Sequence, residues 1–357
     1  MMESTLTRQR WSTANRDRDV LLEVKGLMTH FFLDQGTVRA VNGVDFSVKR
    51  GQTIGLVGES GCGKSVLARS ILRIVPPPGH ITEGQILLHR RAEGAGSETD
   101  EVVDLVTLNP NGSLVRKIRG GEISMVFQEP MTSLSPVHTI GNQIIEAIVL
   151  HQDISQEEAR AQAIAMLARV KMPQPTRTID RYPHQLSGGM RQRAMIAMAL
   201  SCRPALLIAD EPTTALDVTT QAQILTLMRD LQEEFGMAII FITHDLGVIA
   251  QMVEYVVVMY LGAVVEAAAA DAIFYNPKHP YTQALLRSIP RLGEKTLQGV
   301  TGRLTAIRGS VPDPYSVPKG CPFHPRCRQA IKGVCNERIP PFLEVEAGHK
   351  VRCVLYE

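Results

Sequence analysis

A glycine-rich segment near residue 60 has the composition of a phosphate-binding loop. It reads Gly58-Glu59-Ser60-Gly61-Cys62-Gly63-Lys64-Ser65, after an apolar run and before a helical pattern, which is the context that this motif requires. The glycines allow backbone N–H groups to converge on an anion, and the start of the helix adds a favourable dipole. We expect Lys64 to reach the terminal phosphates and the Ser65 hydroxyl to bind Mg²⁺.

Two adjacent carboxylates follow a second apolar run. Residues 205–209 are all apolar, and Asp210 and Glu211 come directly after them. If the run is a strand of a parallel sheet, both acids lie at the carboxyl edge of that sheet, where ligands bind. Acids at a strand end are a weak signal alone, but the phosphate loop strengthens it. We expect Asp210 to hold Mg²⁺ through water and Glu211 to polarise the attacking water.

Two more polar residues follow strand-like runs. Gln128 comes after Met125-Val126-Phe127 and could reach the metal, so we predict it as a further Mg²⁺ and phosphate contact. His244 follows the apolar run 238–243, on the edge expected for Glu211. A lone histidine at such a place is more often structural. Its position beside the predicted phosphate site favours a catalytic role, together with Glu211 and Lys64.

A second anion-binding helix start is predicted at Leu186-Ser187-Gly188-Gly189-Met190-Arg191-Gln192-Arg193. Ser187 and two glycines open a helical pattern over residues 190–200, so backbone N–H groups there are free to face an anion. A generic phosphate-loop enzyme does not need this second site.

The elements that position these residues can be read from hydrophobic periodicity. Alternation at Val44, Phe46 and Val48 predicts a half-buried strand, and residues 21–27 and 53–57 predict two more. The runs 205–209 and 238–243 are apolar on both faces and are separated by a helical stretch, 221–235. This pattern is typical of an α/β fold with a mainly parallel sheet and helices on both sides. Residues 90–121 are polar and weakly patterned, which predicts a surface excursion.

Length and composition exclude several classes of protein. The chain has 357 residues, 44% hydrophobic and 21% charged, which indicates a folded protein of two or three domains. A net charge of +2 gives no electrostatic case for a nucleic-acid partner. The longest apolar run, 255–265, is about half of the roughly 20 residues that a membrane-spanning helix needs. Residues 1–19 read as a flexible polar tail, with no apolar core of an export signal.

Four of the six cysteines lie near the end of the chain, at Cys321, Cys327, Cys335 and Cys353. Four thiolates on proline-rich loops could bind an iron–sulfur cluster. They do not form the Cys-x-x-Cys pairs that are common in zinc sites. Their chemistry alone leaves three alternatives: a cluster, a zinc ion or reduced thiols.

Taken together and in this order, these motifs resemble those of ABC transporter ATPases over residues 21–270. Residues Thr214 to Asp217 provide a further motif of this resemblance. The resemblance implies that two ATPase subunits pack head to tail, with Ser187, Gly188 and Gly189 touching the nucleotide of the partner and Asp217 at the interface. It implies ATP contacts at Phe31 or Phe32 against the adenine, with Phe31 favoured, although both could be core residues. The remaining implied ATP contacts are Gly58, Ser60, Gly61, Cys62, Gly63, Lys64, Ser65 and Gln128.

The C-terminal region resembles that of oligopeptide and dipeptide transporter ATPases. His279-Pro280-Tyr281-Thr282, Gly309 to Pro312 and the cysteine pattern carry the resemblance. Some members of that family hold a 4Fe–4S cluster, which favours the cluster over Zn²⁺ here. The implied domains are the ABC ATPase at 20–270, with an antiparallel β-subdomain and a helical subdomain at about 128–187, and a separate small cysteine-rich module at 271–357.

The resemblance implies an ATP-hydrolysing subunit of a prokaryotic importer, with ATP and Mg²⁺ as ligands. Its expected partners are a second ATPase subunit, two transmembrane permeases and, through the complex, an extracytoplasmic substrate-binding protein. The expected location is peripheral, on the cytoplasmic face of the membrane, and residues 129–137 are the expected permease contact. Peptides lead as the solute, with nickel, oligosaccharides and opines as alternatives. ABC ATPases of DNA repair or translation are disfavoured, because the helical subdomain leaves no room for a coiled coil and the chain has one phosphate loop.

Overall fold

A computed structural model describes residues 19–91, 100–129, 133–214, 216–288 and 307–357. The tail predicted for residues 1–19 therefore lies outside the described residues, apart from Asp19.

The described strands form two sheets. The first sheet is antiparallel, in the order β2-β1-β4-β5. Its strands are β1 (Val20–Leu33), β2 (Gly36–Lys49), β4 (Gly79–Arg91) and β5 (Asp100–Asp104). The second sheet has the order β11-β12-β10-β9-β3-β8-β7-β6. Its strands are β3 (Thr53–Val57), β6 (Ile123–Val126), β7 (Leu206–Asp210), β8 (Ala238–Ile242), β9 (Tyr255–Tyr260), β10 (Ala263–Ala269), β11 (Leu343–Glu346) and β12 (His349–Val351).

The helices lie between and around these strands. They are α1 (Lys64–Ile71), α2 (Ser113–Gly121), α3 (Ile140–His151), α4 (Gln156–Arg169), α5 (Pro175–Thr178), α6 (Gly188–Leu200), α7 (Val218–Phe235), α8 (Leu246–Met252), α9 (Ala270–Tyr275) and α10 (Pro280–Arg287). Short 3₁₀ turns occur at Pro183–Gln185, His324–Arg326 and Val354–Tyr356. In the described part of the chain, none of these helices has the length and apolarity needed to span a bilayer.

The apolar runs of the sequence are the central strands of the second sheet. Strands β6, β7, β8, β3 and β9 pair in parallel, and every residue of β3, β7 and β8 is buried. Leu206, Ile208 and Ile240 face a core shared with the antiparallel sheet and α1. Leu207 and Phe241 face the opposite core, which includes α6 and α7. Burial on both faces explains why these strands lack polar alternation, and the predicted α/β sheet is confirmed.

Residues 90–121 differ from the predicted surface excursion. They contain β5 and α2, and Val103, Val115 and Ile118 are buried. The helix carries so few apolar residues that its pattern is hard to read from the sequence. It packs against β6, and Leu114 and Ile118 join the core beneath the first sheet.

The C-terminal strands continue the second sheet. Strand β12 pairs with β10, and β11 pairs with β12. The buried carboxylate of Glu266 on β10 accepts hydrogen bonds from the backbone of Lys278 and His279 at 2.6 and 2.9 Å and from His349 Nε2 at 2.7 Å. The loop-rich C-terminal residues thus share a sheet with the preceding residues instead of forming a detached layer.

Candidate functional site

The phosphate loop connects the end of β3 to the start of α1. Two of its glycines are required by close backbone approaches. At Gly58 (φ 155°) a Cβ atom would lie 2.3 Å from the carbonyl oxygen of Met259, and at Gly63 (φ 101°) it would lie 2.0 Å from that of Ala40. Any side chain at either position would collide with backbone, so the loop conformation depends on glycine.

The amine of Lys64 is hydrogen-bonded to the backbone of this loop. Its Nζ donates to the carbonyl oxygens of Gly58 and Glu59 at 2.8 and 3.1 Å, and the residue is 6% exposed. Phosphate oxygens are charged and therefore accept stronger hydrogen bonds than carbonyl oxygens. Lys64 can exchange these contacts for a bound triphosphate, as its position in the motif predicts.

The carboxylate of Asp210, at the end of β7, has the features of a Mg²⁺ contact. The residue is 3% exposed, and its Oδ1 atom has no hydrogen-bond partner among the described residues. Burial raises the pKa of Asp210, and a hydrogen bond from the Ser65 hydroxyl opposes that rise. An unpaired buried carboxylate oxygen beside a hydroxyl is costly without a ligand, and both are oxygen donors of the type that Mg²⁺ prefers. Ser65, Asp210 and the nearby Gln128 therefore fit this ion.

Glu211 is the most closely held carboxylate of the site. Its Oε2 accepts from Thr214 Oγ1 at 2.9 Å and Gln128 Nε2 at 3.2 Å, and its Oε1 lies 3.1 Å from Nδ1 of His244. Burial alone would raise the pKa of Glu211, but the hydrogen bonds from His244 and Thr214 bring it below its usual value. The residue also has φ 47°, in the left-handed region. A strained, ionised carboxylate with fixed orientation is suited to accept a proton from water.

Several of these residues line one open cavity of about 810 Å³. Its polar lining includes Ser60, Lys64, Ser65, Gln128 and Glu211, together with Gly61 and Gly63 of the loop. Val38, Arg39, Leu261, Pro314 and Val317 also line it. The cavity thus combines the phosphate loop with apolar side chains, as a nucleotide requires.

Neither aromatic candidate for adenine stacking lines this cavity. A Cβ built on Gly79 would lie 2.6 Å from the ring of Phe31, so that ring packs against the neighbouring strand. Phe32 is 51% exposed and contacts the rings of His30 and His80. The assignment of Phe31 to the adenine stays a prediction.

The side chain of Cys62 does not line the cavity, and its Sγ accepts a hydrogen bond from Lys64 Nζ at 3.6 Å. It is 3% exposed and belongs to the core beneath the first sheet. Burial raises the pKa of its thiol, although Lys64 opposes the shift. Only the backbone of Cys62 is therefore placed to meet a phosphate.

Ser187, Gly188 and Gly189 lie outside this cavity. Ser187 caps α6 by accepting a hydrogen bond from the backbone N–H of Met190 at 3.4 Å, and both it and Gly188 are exposed. Asp217 caps α7 by accepting from the backbone and hydroxyl of Thr220 at 2.9 and 2.6 Å. A Cβ on Gly189 would lie 2.8 Å from Thr220, so the two helix starts pack closely. They form an exposed surface that a second chain can reach.

The four C-terminal cysteines line one small cavity, together with His279 and His324. The backbone N–H groups of Gln329 and Ile331 donate to the sulfurs of Cys327 and Cys335 at 3.4 and 3.3 Å. Four sulfur donors that line one cavity fit an iron–sulfur cluster or zinc in their chemistry. Their placement does not, since no three His, Cys, Asp or Glu side chains of the described ranges form a group that could hold a metal ion.

Several residues of this region give no signal in the sequence. Arg326 pairs with Glu59 of the phosphate loop, and the backbone N–H of Glu59 donates to the hydroxyl of Tyr281 at 2.9 Å. Pro314 and Val317 complete the cavity wall. Tyr281 belongs to a motif of the resemblance, but nothing local marks its contact with the loop, or marks Arg326, Pro314 and Val317, because their partners are distant in the chain.

The chain is similar to two known protein families and to several transport proteins. Residues 41–214 match the family described as ABC transporter, and residues 265–335 match the family described as oligopeptide/dipeptide transporter, C-terminal region. The chain is 48% identical over 338 residues to the oligopeptide transport ATP-binding protein AppD of Bacillus subtilis, covering 94% of this chain and 97% of that protein. It is 48% identical over 340 residues to a probable peptide ABC transporter ATP-binding protein of Sinorhizobium fredii, covering 95% and 96%.

Solved structures show the same fold. The dimeric post-hydrolysis structure of the ATP-binding cassette MJ0796 bound to ADP and Pi is 26% identical, with a TM-score of 0.59 over 70% of this chain and 99% of that one. A second dimeric structure of that cassette matches with 27% identity and the same score.

Proposed function

This chain belongs to the ATP-binding proteins of ABC transporters, and we propose that it hydrolyses ATP to drive the import of peptides. The single observation that carries the hydrolytic part is the set of three side chains that orient Glu211 beside the phosphate-loop cavity. The peptide part is supported by the relatives that are named as oligopeptide and dipeptide transport proteins.

In the proposed reaction, each residue acts on a different part of bound ATP. The backbone N–H groups of the phosphate loop and Lys64 bind the phosphates, and Glu211 accepts a proton as water attacks the terminal phosphate. His244 holds Glu211 and would donate to the charge that develops on that phosphate. Ser65, Gln128 and Asp210 would hold Mg²⁺, which neutralises phosphate charge when bound.

We propose that a second ATPase subunit completes the site. The exposed start of α6, with Ser187, Gly188 and Gly189, would face the nucleotide on the partner, and Asp217 would lie at the shared interface. The exposure of Ser187, Gly188 and Asp217 supports the proposal, and none of the four residues lines this chain's own cavity. The description of the MJ0796 cassette structures as dimeric supports it as well.

We propose that two transmembrane permeases bind the helical subdomain, on the cytoplasmic face of the membrane. The stretch 129–137 is the proposed contact, and Val137 in it is 73% exposed, while residues 130–132 lie outside the described residues. The substrate-binding protein would act through the permeases. Nickel, oligosaccharides and opines remain alternative solutes, because those other subunits select the solute.

We propose that Cys321, Cys327, Cys335 and Cys353 converge to hold a 4Fe–4S cluster, with zinc as the alternative. Their side chains would have to draw closer around the group, since no three of them form a metal-binding group in the described part of the chain. Their shared cavity and the two N–H···S bonds support a sulfur-ligated group. Its role would be to order loops that have little apolar core of their own.

The transport proposal is tested by uptake of a labelled dipeptide into cells that carry the complete transporter. We expect uptake with the wild-type chain and its loss with Lys64→Ala, with Arg338→Ala as a control that changes a distant surface pair. Uptake of nickel or a sugar but not of peptides would contradict the assigned solute. Uptake that is equal in all three chains would contradict the role of ATP at this site.

A further inference from the structure

A bidentate ion pair joins the phosphate loop to the C-terminal segment. Nη1 of Arg326 lies 2.6 Å from Oε2 of Glu59, and Nη2 lies 3.0 Å from Oε1. The Arg326 side chain is 4% exposed and that of Glu59 is 23% exposed. Two parallel charge-assisted hydrogen bonds fix both the distance and the orientation of the two groups. The pair is therefore unlike exposed ion pairs, which constrain little.

The guanidinium group is itself fixed by other contacts. Its Nε donates to the carbonyl oxygen of Arg308 at 3.0 Å and its Nη2 to that of Gly309 at 3.3 Å. Its Nη1 also donates to the hydroxyl of Tyr260 at 3.3 Å. The hydrogen bonds to Glu59 raise the pKa of Arg326 further, so the group stays charged.

The same C-terminal segment reaches Glu59 by a second route. The backbone N–H of Glu59 donates to the hydroxyl of Tyr281, and the Tyr281 ring packs against Tyr260 and Phe323 at centroid distances of 4.7 and 5.3 Å. Phe323 lies two positions after Cys321, and Arg326 directly precedes Cys327. The segment that carries the first two cysteines of the cavity thus contacts the side chain of Glu59 directly, and it contacts Tyr281, which binds the backbone of Glu59.

The phosphate loop needs such support because glycine lowers its intrinsic rigidity. Gly58, Gly61 and Gly63 all have positive φ, and ordering such residues is costly in entropy. A loop that is fixed before ATP arrives loses less freedom on binding. Arg326 also neutralises a carboxylate that would otherwise repel the triphosphate.

We propose that Arg326 is a positioning residue for ATP binding, which holds Glu59 and so makes ATP affinity depend on the cysteine-bearing segment 321–327. The inference rests on the proposed ATP-binding function. It gives the C-terminal segment a role at the nucleotide site, where the sequence suggests only an independent module.

The test compares the affinity of full-length variants for MgATP by equilibrium dialysis. Loss of a charge-assisted contact predicts a dissociation constant about tenfold higher for Arg326→Ala and about threefold higher for Arg326→Lys, which keeps the charge but not the fork. Arg338→Ala is the matched control, because Arg338 is also a C-terminal arginine that pairs with a glutamate, Glu357, but this pair is exposed. We expect its affinity to equal that of the wild type.

Turnover in the assembled transporter separates positioning from general damage. We expect Arg326→Ala to raise KM while kcat stays near the wild-type value, since the contacts of Glu211 and His244 are unchanged. We also expect Arg326→Ala combined with Glu59→Gln to bind MgATP at least as tightly as Arg326→Ala alone, because the uncompensated charge is then absent.

The outcomes distinguish the inference from the function on which it rests. Failure of the wild-type chain to bind MgATP would overturn the proposed function. Wild-type affinity in folded Arg326→Ala or Arg326→Lys, or weaker binding by the double variant than by Arg326→Ala alone, would overturn the inference alone. If Arg326→Ala does not fold, the MgATP affinity of Arg326→Lys decides the question. Weakened affinity supports the inference, and unchanged affinity overturns it.

Discussion

Replacing Glu211 by glutamine removes the proposed base while leaving its contacts in place. The glutamine carbonyl can take the position of Oε2, where it still accepts hydrogen bonds from Thr214 and Gln128. The amide NH₂ then faces Nδ1 of His244, which can accept in its other tautomer. The variant therefore changes proton-accepting ability with little change in packing.

The expected loss follows from the chemistry of the base. General-base catalysis contributes about 10²–10⁴-fold, which corresponds to about 3–5 kcal/mol of barrier. We expect turnover to fall by this factor, MgATP binding to persist and the ATP-bound dimer to accumulate. Thr214→Val is the matched control, since it removes one of three contacts of Glu211 and leaves the base, at a cost of about 1 kcal/mol, or roughly fivefold in rate.

The first assay is ATP hydrolysis by the assembled transporter. Formation of the ATP-bound dimer is monitored separately by size-exclusion chromatography. The pH dependence gives a second readout. The folded pKa of Glu211 is lowered, so its carboxylate is ionised at neutral pH and activity is lost only as pH falls through that lowered pKa. Thr214→Val removes a hydrogen bond that lowers the pKa, so its acid limb should lie at higher pH. Near-normal turnover of Glu211→Gln would refute the assignment of the base.

Two further predictions concern the cysteines. Because Cys62 is buried and the pKa of its thiol is raised, we expect this thiol to be alkylated slowly even without nucleotide. The modification is measured by mass mapping of the modified peptide. Fast labelling that MgATP blocks would instead place the thiol in the phosphate site. Protein purified without oxygen should be brown, with iron and labile sulfide in nearly equal amounts, and Cys353→Ser should lose both. Stoichiometric zinc without iron would exclude the cluster and leave the cavity as a zinc site.

Much of the nucleotide site follows from the sequence, because its residues lie at fixed offsets from buried strands. The phosphate loop follows β3, Asp210 ends β7, and His244 comes shortly after β8. Carboxyl ends of neighbouring parallel strands meet at one edge of a sheet. Local spacing therefore predicts that these side chains converge, and the distances from Glu211 to Gln128 and His244 confirm it.

The position of the aromatic candidates depends on strand register, which spacing alone does not give. The pairing of β1 with β2 shifts at Val24 to Met28 and again between Thr29 and His30. Each such irregularity resets the alternation of faces along the strand. Alternation counted from residues 21–27 therefore cannot decide which of Phe31 and Phe32 faces the nucleotide.

Only the tertiary structure connects the phosphate loop to the C-terminal segment. Glu59 and Arg326 are 267 positions apart, and Glu59 and Tyr281 are 222 apart. In the sequence, Glu59 is one variable position of a glycine-rich motif, and Arg326 is one basic residue between two cysteines. Strand β12 pairs with β10 in the sheet whose strand β3 leads into the phosphate loop, so the C-terminal residues lie near that loop. Contacts between such distant residues depend on how the whole chain packs, so no local pattern encodes them.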